Sequence, residues 1–412
     1  MKVKKDILTL RELAKRVRDI AAKPVQEERR ALWRKHNSLV RTRPLVLVLG
    51  APWWSSEAPP EYKCVCEDPF YRGHERVLRQ RIFQDTIGDD TIQEPWITQG
   101  ATRITPPDGP WGLKYGRIPS PEQRGSWLFD PPLKRWEDFQ RLVRPRHLID
   151  EEATARNVQR LQDAVGDILE VCVDRAPFYR EWHADISYSL AHLRGLEQVM
   201  WDMTQNPEWL HRLARFMCEA VLEIQEEAER RGDWRLCNHS NQAMPYSLEL
   251  PDPQANSPPV KRKQLWYFVA AQEMAQVSPA MHEEFVFQYQ RRIAENFGLV
   301  AYGCCEDLTH KIDMLRRLPN LRRIAVTPVA DVRRCAEQIQ DKYVFSWRPN
   351  PAEMICCGFD PAHVRKVIRQ GLEAAKGCHV DITLKDHETL QGHPENLRKW
   401  VQVVRSVADK YA

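Results

Sequence analysis

The chain has 412 residues, of which 42% are hydrophobic, enough for a sizeable core. Its 61 basic and 57 acidic side chains nearly cancel to a net charge of +4, so nothing in the charge balance points to nucleic acid or a membrane surface. No apolar run of about 18 residues is present and no apolar segment follows the basic N-terminus, so neither a membrane helix nor a secretory signal is expected. The 11 cysteines are an odd number in a large chain. They read as cytoplasmic thiols rather than a disulfide framework.

In chain order, residues 1–40 predict a charge-rich helical extension. Short apolar, β-rich runs follow at 45–49, 91–95, 168–173, 236–238, 299–302, 323–326, 343–346 and 380–384. Helix-period segments lie between most of them, at 70–86, 186–230, 279–297, 306–317, 330–341 and 360–376, and a last one covers 394–409. Strand alternating with helix means parallel strands joined by crossover helices. Eight such units predict an α/β protein, a single closed (β/α)8 TIM barrel over 41–412. Two stretches lack periodicity, 97–133 and 245–259. If each follows a strand, both lie over the C-terminal mouth as binding loops. The plainer alternative is a pair of exposed insertions or a subunit interface, which leaves a homodimer open.

Barrel chemistry sits at the C-terminal strand ends, so the polar residues after each run are the candidates. After the fifth come Gly303-Cys304-Cys305-Glu306-Asp307. Thiolate is a strong zinc ligand and a carboxylate can complete its shell. Adjacent cysteines diverge, so Cys304 is the principal candidate, with Cys305 as the alternative. A small buried cysteine that merely packs is the plainer reading. His239 follows the fourth run, and Lys385-Asp386-His387-Glu388 the eighth. Each histidine is a candidate ligand or an ordinary hydrogen-bonded residue, and Lys385 is a candidate substrate contact or an ion-pair partner of Asp386. Asp174 and Arg175 follow the third run, and Asn238 closes the fourth. Arg348, after the seventh, has the fork to hold a carboxylate. Trp53 and Trp96 follow the first and second runs as pocket walls, with Glu94 at the pocket floor. Trp266 and Glu273 are weaker substrate contacts. Phosphate-loop, nucleophile-elbow and His-Glu-x-x-His patterns are missing.

Several of these stretches together resemble the uroporphyrinogen decarboxylase superfamily, over roughly residues 40–410. They are Asp174-Arg175-Ala176-Pro177-Phe178, the helix start at 277–285, Tyr302-Gly303-Cys304, and His393-Pro394-Glu395-Asn396-Leu397. The resemblance implies a barrel enzyme. Its methyltransferase branch implies zinc-dependent transfer of a methyl group between a small methylated substrate and a corrinoid protein carrying cobalamin. Zinc would be held by Cys304, Glu306, His239 and His387. The sequence departs from the family at several places, among them the stretch after the second run, where Glu94 and Trp96 stand instead of a substrate-binding aspartate. Gly50-Ala51-Pro52-Trp53-Trp54-Ser55 lacks the arginines that bind porphyrinogen propionates, and Tyr302 stands where methyltransferases have a ligand histidine. An alternative within the superfamily is a metal-independent decarboxylase of a non-porphyrinogen acid. Arg348 or Arg175 would then hold a carboxylate, and Glu94 or Asp174 would stabilise a developing cation. A third reading is a barrel that binds without turnover.

Overall fold

The computed structural model describes residues 2–50, 54–122 and 125–411. Helices α1 (Lys2–Ala21) and α2 (Pro24–Asn37) come first. Pro24 opens α2, where its missing N–H is no loss. The apolar stripe of α1, including Leu10, Leu13 and Val17, packs on α3 (Pro69–Ile87) and α4 (Glu151–Val165) in a core shared with Leu78, Ile82, Leu161 and Val165. Asp68 caps α3 by accepting from Phe70 N, and Asp150 caps α4 through Ala153 N.

Eight parallel strands carry the rest: β1 (Leu45–Val48), β2 (Trp96–Gly100), β3 (Glu170–Asp174), β4 (Trp266–Val269), β5 (Leu299–Tyr302), β6 (Leu321–Val326), β7 (Val344–Trp347) and β8 (His379–Leu384). Six form one sheet in the order β1-β8-β7-β6-β5-β4, and β2 and β3 form a separate pair. In register, Leu45 faces Asp381, Arg323 faces Val344 and Trp266 faces Leu299. The predicted closed barrel is therefore a barrel-like curl. Among the described residues no ladder joins β1 to β2 or β3 to β4.

Side chains bridge both seams. Beside β1, Asp90 Oδ2 accepts from Val46 N at 2.8 Å and Asp89 Oδ2 from Val48 N at 2.9 Å. Between β3 and β4, Asn238 Nδ2 donates to Asp174 Oδ1 at 2.8 Å and Trp266 N donates to His239 Nδ1 at 3.1 Å. These bonds correct two predicted strands. Residues 91–95 are irregular, since Asp89 and Asp90 already occupy the β1 edge and Pro95 offers no N–H. Residues 236–238 form a 3-10 turn, because Asn238 Oδ1 folds back to accept from Arg235 N at 2.8 Å. The true fourth strand, Trp-Tyr-Phe-Val at 266–269, has the stronger β composition. That shift also relocates the 245–259 loop. It precedes β4 and lies at the N-terminal end, where Asn37 of α2 donates to Met244 O and Tyr246 O.

The predicted helix over 186–230 is three: Ser187–Arg194, Leu196–Gln205 and α5 (Pro207–Arg231), broken at Gly195 and Pro207. The predicted 306–317 helix is a single turn, Ile312–Leu315. The outer layer is completed by α6 (Gln288–Ala294), α7 (Val332–Ile339), α8 (Pro361–Ala374) and α9 (Asn396–Ala408).

Period-2 alternation sorts the strands into two faces. Val300, Tyr302, Ile324, Val326, Phe345, Trp347, Val380 and Ile382 face the helices in the main core. Arg323, Ser346 and Asp381 face inward and are buried. Arg323 Nη2 lies 2.8 Å from Asp381 Oδ2 and 3.1 Å from Ser346 Oγ, and Nη1 lies 2.9 Å from Asn37 Oδ1. His36 Nε2 sits 3.1 Å from Asp381 Oδ2. Helix α2 thus plugs the floor of the curl with a bonded polar cluster.

Candidate functional site

The ends of β4, β5, β7 and β8 converge at the mouth. Tyr302 ends β5 with its ring on the outer face, where its hydroxyl donates to Gln290 Oε1 at 2.7 Å and lies 3.2 Å from His282 Nε2. Gly303 then turns the chain at φ 97°. An added Cβ there would lie 2.6 Å from Leu308 Cδ1 and 3.1 Å from Ala325 Cβ. Gly303→Ala is expected to cost roughly 2–3 kcal/mol of stability from the left-handed backbone plus overpacking, read as a lowered urea midpoint with unchanged slope.

Past Gly303, the buried Glu306 holds the loop. Its Oε2 accepts from Cys304 N at 2.8 Å and Cys305 N at 3.0 Å, and its Oε1 from Ala271 N at 2.9 Å. Arg348 grips the same loop from β7, donating to Gly303 O at 3.3 Å, to Cys304 O, and to Gln242 Oε1 at 2.9 Å. Both predicted site residues are positioning groups in this arrangement.

The loop presents the Cys304 sulfur to a cation. Lys385 Nζ, past the end of β8, lies 2.9 Å from Cys304 Sγ and 3.4 Å from Cys305 Sγ. Gln242 Nε2 lies 3.5 Å from Cys304 Sγ, and the two sulfurs are 3.6 Å apart. The hydrogen bond from Cys305, with the charges of Arg348 and Lys385, brings the Cys304 thiol below its ordinary range against the opposing effect of burial. Cys305 moves the other way, because its proton serves Cys304. Cys304 is buried and Cys305 exposed.

An apolar wall packs beside Cys304, and an acid follows β4. Trp182 and Phe268, ring centroids 5.1 Å apart, pack with Ala270, Ala301 and Cys304. Glu273, after β4, accepts from Ser187 Oγ at 2.8 Å. Burial raises its pKa, as do the negative charges of Glu306 and Cys304. Asp185 is raised further, by burial and then by Glu273. A tight turn fixes it: Ile186 has φ 67° and ψ −52°, and Ser187 N bonds Asp185 O at 2.8 Å. This is the strained three-residue γ form. The mouth therefore pairs a thiol pushed down with carboxyls pushed up, the pattern expected of an acid–base site.

Several predicted residues lie elsewhere. His239 bonds the first residue of β4, at the opposite strand end from the mouth, and burial lowers its pKa to about 4. Trp266 and Trp96 likewise open their strands rather than follow them. Glu94 pairs with Arg30 at 3.0 Å and takes a hydrogen bond from Tyr246, beside α2. Arg175 faces Glu151 and Asp233. Asp174 is held by Arg180 at 2.5 Å, Arg103 at 3.0 Å and Asn238. His387, two residues past Lys385, follows β8 at the same strand end as the thiol but is fully buried, and burial lowers its pKa to about 4. Trp53 lies outside the described residues. Sequence reasoning missed Gln242, Asp185 and Trp182. Their signal is weak, since all three sit in irregular segments.

The predicted zinc donors do not fit the ion. His239 is at the wrong end, Glu306 is turned to three backbone N–H groups, and Cys304 Sγ is engaged by the Lys385 ammonium. Among the described residues no group of three or more His, Cys, Asp or Glu is arranged to hold a metal ion. No described helix is long and apolar enough to cross a membrane.

No family model matches the sequence, and no curated protein matches it. Among solved structures, a methyltransferase from Methanosarcina mazei is similar with a TM-score of 0.49 at 10% identity, covering 93% of this chain and 98% of that one.

Proposed function

We propose that this chain is an enzyme that moves a methyl group between a small methylated substrate and a corrinoid protein, with the Cys304 sulfur as the atom that meets the methyl carbon. The observation that carries the reading is the Lys385 ammonium 2.9 Å from that sulfur, on a loop clamped by Glu306 and Arg348. The sequence resemblance supplies the methyl group and the partner. Methyl transfer needs a soft anionic nucleophile and a leaving group that is protonated as it departs. In this reading the Cys304 thiolate attacks the methyl carbon. The carbon–heteroatom bond breaks, and the protonated Glu273 gives its proton to the departing atom. Trp182 and Phe268 keep water from the sulfur. A corrinoid partner would supply a cobalt centre that exchanges methyl groups, and no step is routed through zinc.

The lyase reading is weaker, because Arg175 is committed to Glu151 and Asp233 and Arg348 to the loop carbonyls.

The test is incubation with isotope-labelled methyl ethers, thioethers and methylammonium compounds, with and without reduced free cobalamin. Label on the Cys304 peptide, or in methylated cobalamin, supports the proposal. No label from any donor, or equal labelling of a Cys304→Ala chain, overturns it. Lys385→Met is expected to move the midpoint of the pH profile for Cys304 alkylation upward. Removing a neighbouring cation favours the protonated thiol, so the variant reacts more slowly at neutral pH. An unmoved midpoint would show that Lys385 does not hold the thiolate.

A further inference from the structure

The methyl-transfer reading uses Cys305 only as a hydrogen-bond donor to Cys304. Cys305 is exposed, its Sγ is 3.6 Å from Cys304 Sγ, and it lies 3.4 Å from Asp386 Oδ2. Two thiols side by side, one charge-assisted and buried, the other exposed beside a proton acceptor, form the arrangement of an attacking and a resolving cysteine. We propose that Cys304 and Cys305 form a reversible oxidation site that takes a hydroperoxide and closes to a disulfide between adjacent residues.

The chemistry balances in two steps. The Cys304 thiolate attacks one peroxide oxygen, so a sulfur–oxygen bond forms and the oxygen–oxygen bond breaks. The other oxygen leaves and takes a proton from solvent, giving an alcohol or water and a sulfenic acid on Cys304. Cys305 then gives its proton to Asp386 and its sulfur attacks the Cys304 sulfur. The sulfur–oxygen bond breaks, hydroxide leaves as water with that proton, and a disulfide remains. Two electrons pass from the two sulfurs to the peroxide, and an external dithiol restores both thiols. Cys305, exposed and 3.6 Å from the Cys304 sulfur, marks the side from which a small peroxide reaches it.

Geometry says what the closed form does to the loop. Adjacent Cα atoms are about 3.8 Å apart across a trans peptide, short of the roughly 4.4–6.8 Å usual for disulfides. The peptide between the cysteines must turn, and both its own N–H, from Cys305, and the preceding one, from Cys304, are held by Glu306 Oε2. Oxidation therefore disturbs the clamp as well as consuming the sulfur.

Only the consequence, loss of methyl transfer, rests on the proposed function. The closing experiment reads mass alone. The full chain is treated with hydrogen peroxide, and the peptide spanning 304–305 is followed beside the one spanning Cys356-Cys357. That second adjacent pair, one half-buried and one exposed, is an internal comparison in which burial raises the Cys356 thiol. The expected result is loss of two hydrogens in the 304–305 peptide, reversed by dithiothreitol, about tenfold or more faster than at 356–357, since thiolate character governs the rate. In Cys305→Ser the sulfenic acid has no partner thiol, so a second peroxide should carry it to the sulfinic acid, a gain of two oxygens that dithiothreitol does not remove. Oxygen addition without loss of two hydrogens in the wild type overturns the inference, as does equal oxidation of both pairs. Disulfide formation in a chain that never accepts a methyl group would uphold the oxidation site and remove the methyl-transfer reading.

Discussion

Replacing Cys304 with alanine is expected to lower methyl transfer by on the order of a thousandfold or more, because the covalent step loses its nucleophile and the neighbouring Cys305 lies farther from the Lys385 ammonium, 3.4 Å against 2.9 Å, and beside the carboxylate of Asp386. The fold should survive. The side chain is small, Lys385 keeps Asp386 at 3.2 Å, and Glu306 and Arg348 bind the loop through backbone atoms that alanine retains. A stability change of about 1 kcal/mol is expected from a lost buried sulfur. Cys304→Ser separates the thiolate from mere polarity. A hydroxyl can still accept from Lys385 but stays protonated near neutral pH, so this variant should be about as inactive as alanine. A serine variant retaining more than about a tenth of the rate would show that the sulfur is not the group that meets the methyl carbon.

Arg323→Met is expected to cost about 3–5 kcal/mol of stability at neutral pH, since it leaves Asp381 charged and buried without its cation. Burial by itself would raise the Asp381 carboxyl. Arg323, then His36 and Ser346, hold it at about 2. A carboxylate whose folded pKa is depressed contributes stability above its unfolded pKa, about 4, and loses it as pH falls towards 2. Without Arg323 the sign reverses. Burial then raises the folded pKa, so the penalty is full at neutral pH and shrinks in acid as Asp381 protonates. Urea unfolding of wild type and variant at pH 7 and pH 4 should show a larger gap at pH 7. A pH-independent gap would mean the loss is one of packing. Replacing the pair together by Met and Leu should recover much of the stability. This cluster was not legible beforehand: Arg323 and Asp381 are far apart in the chain, and only the register of β6, β7 and β8 brings them together.

The mutual arrangement of elements explains most differences between reading and structure. Runs such as 299–302 and 380–384 declared themselves because a strand buried on both faces must be apolar nearly throughout. Residues 236–238 imitated a strand, and the misplaced unit carried His239 and the 245–259 loop to the wrong end of the fold. Pairing partners decide such cases, since a short apolar run is equally good as a turn when a side chain such as Asn238 supplies the hydrogen bonds.

At the mouth, the sequence by itself determined the four strands from 299 to 384 and the place of Cys304 past a strand end, because hydrophobic period and Gly303 are local properties. Tertiary structure alone decided what that cysteine is. Lys385 and Gln242 reach its sulfur from distant segments, and Glu306 turns inward to hold the loop. A thiol's charge depends on which cations the fold sets within a few ångströms, and such distances are absent from any local pattern.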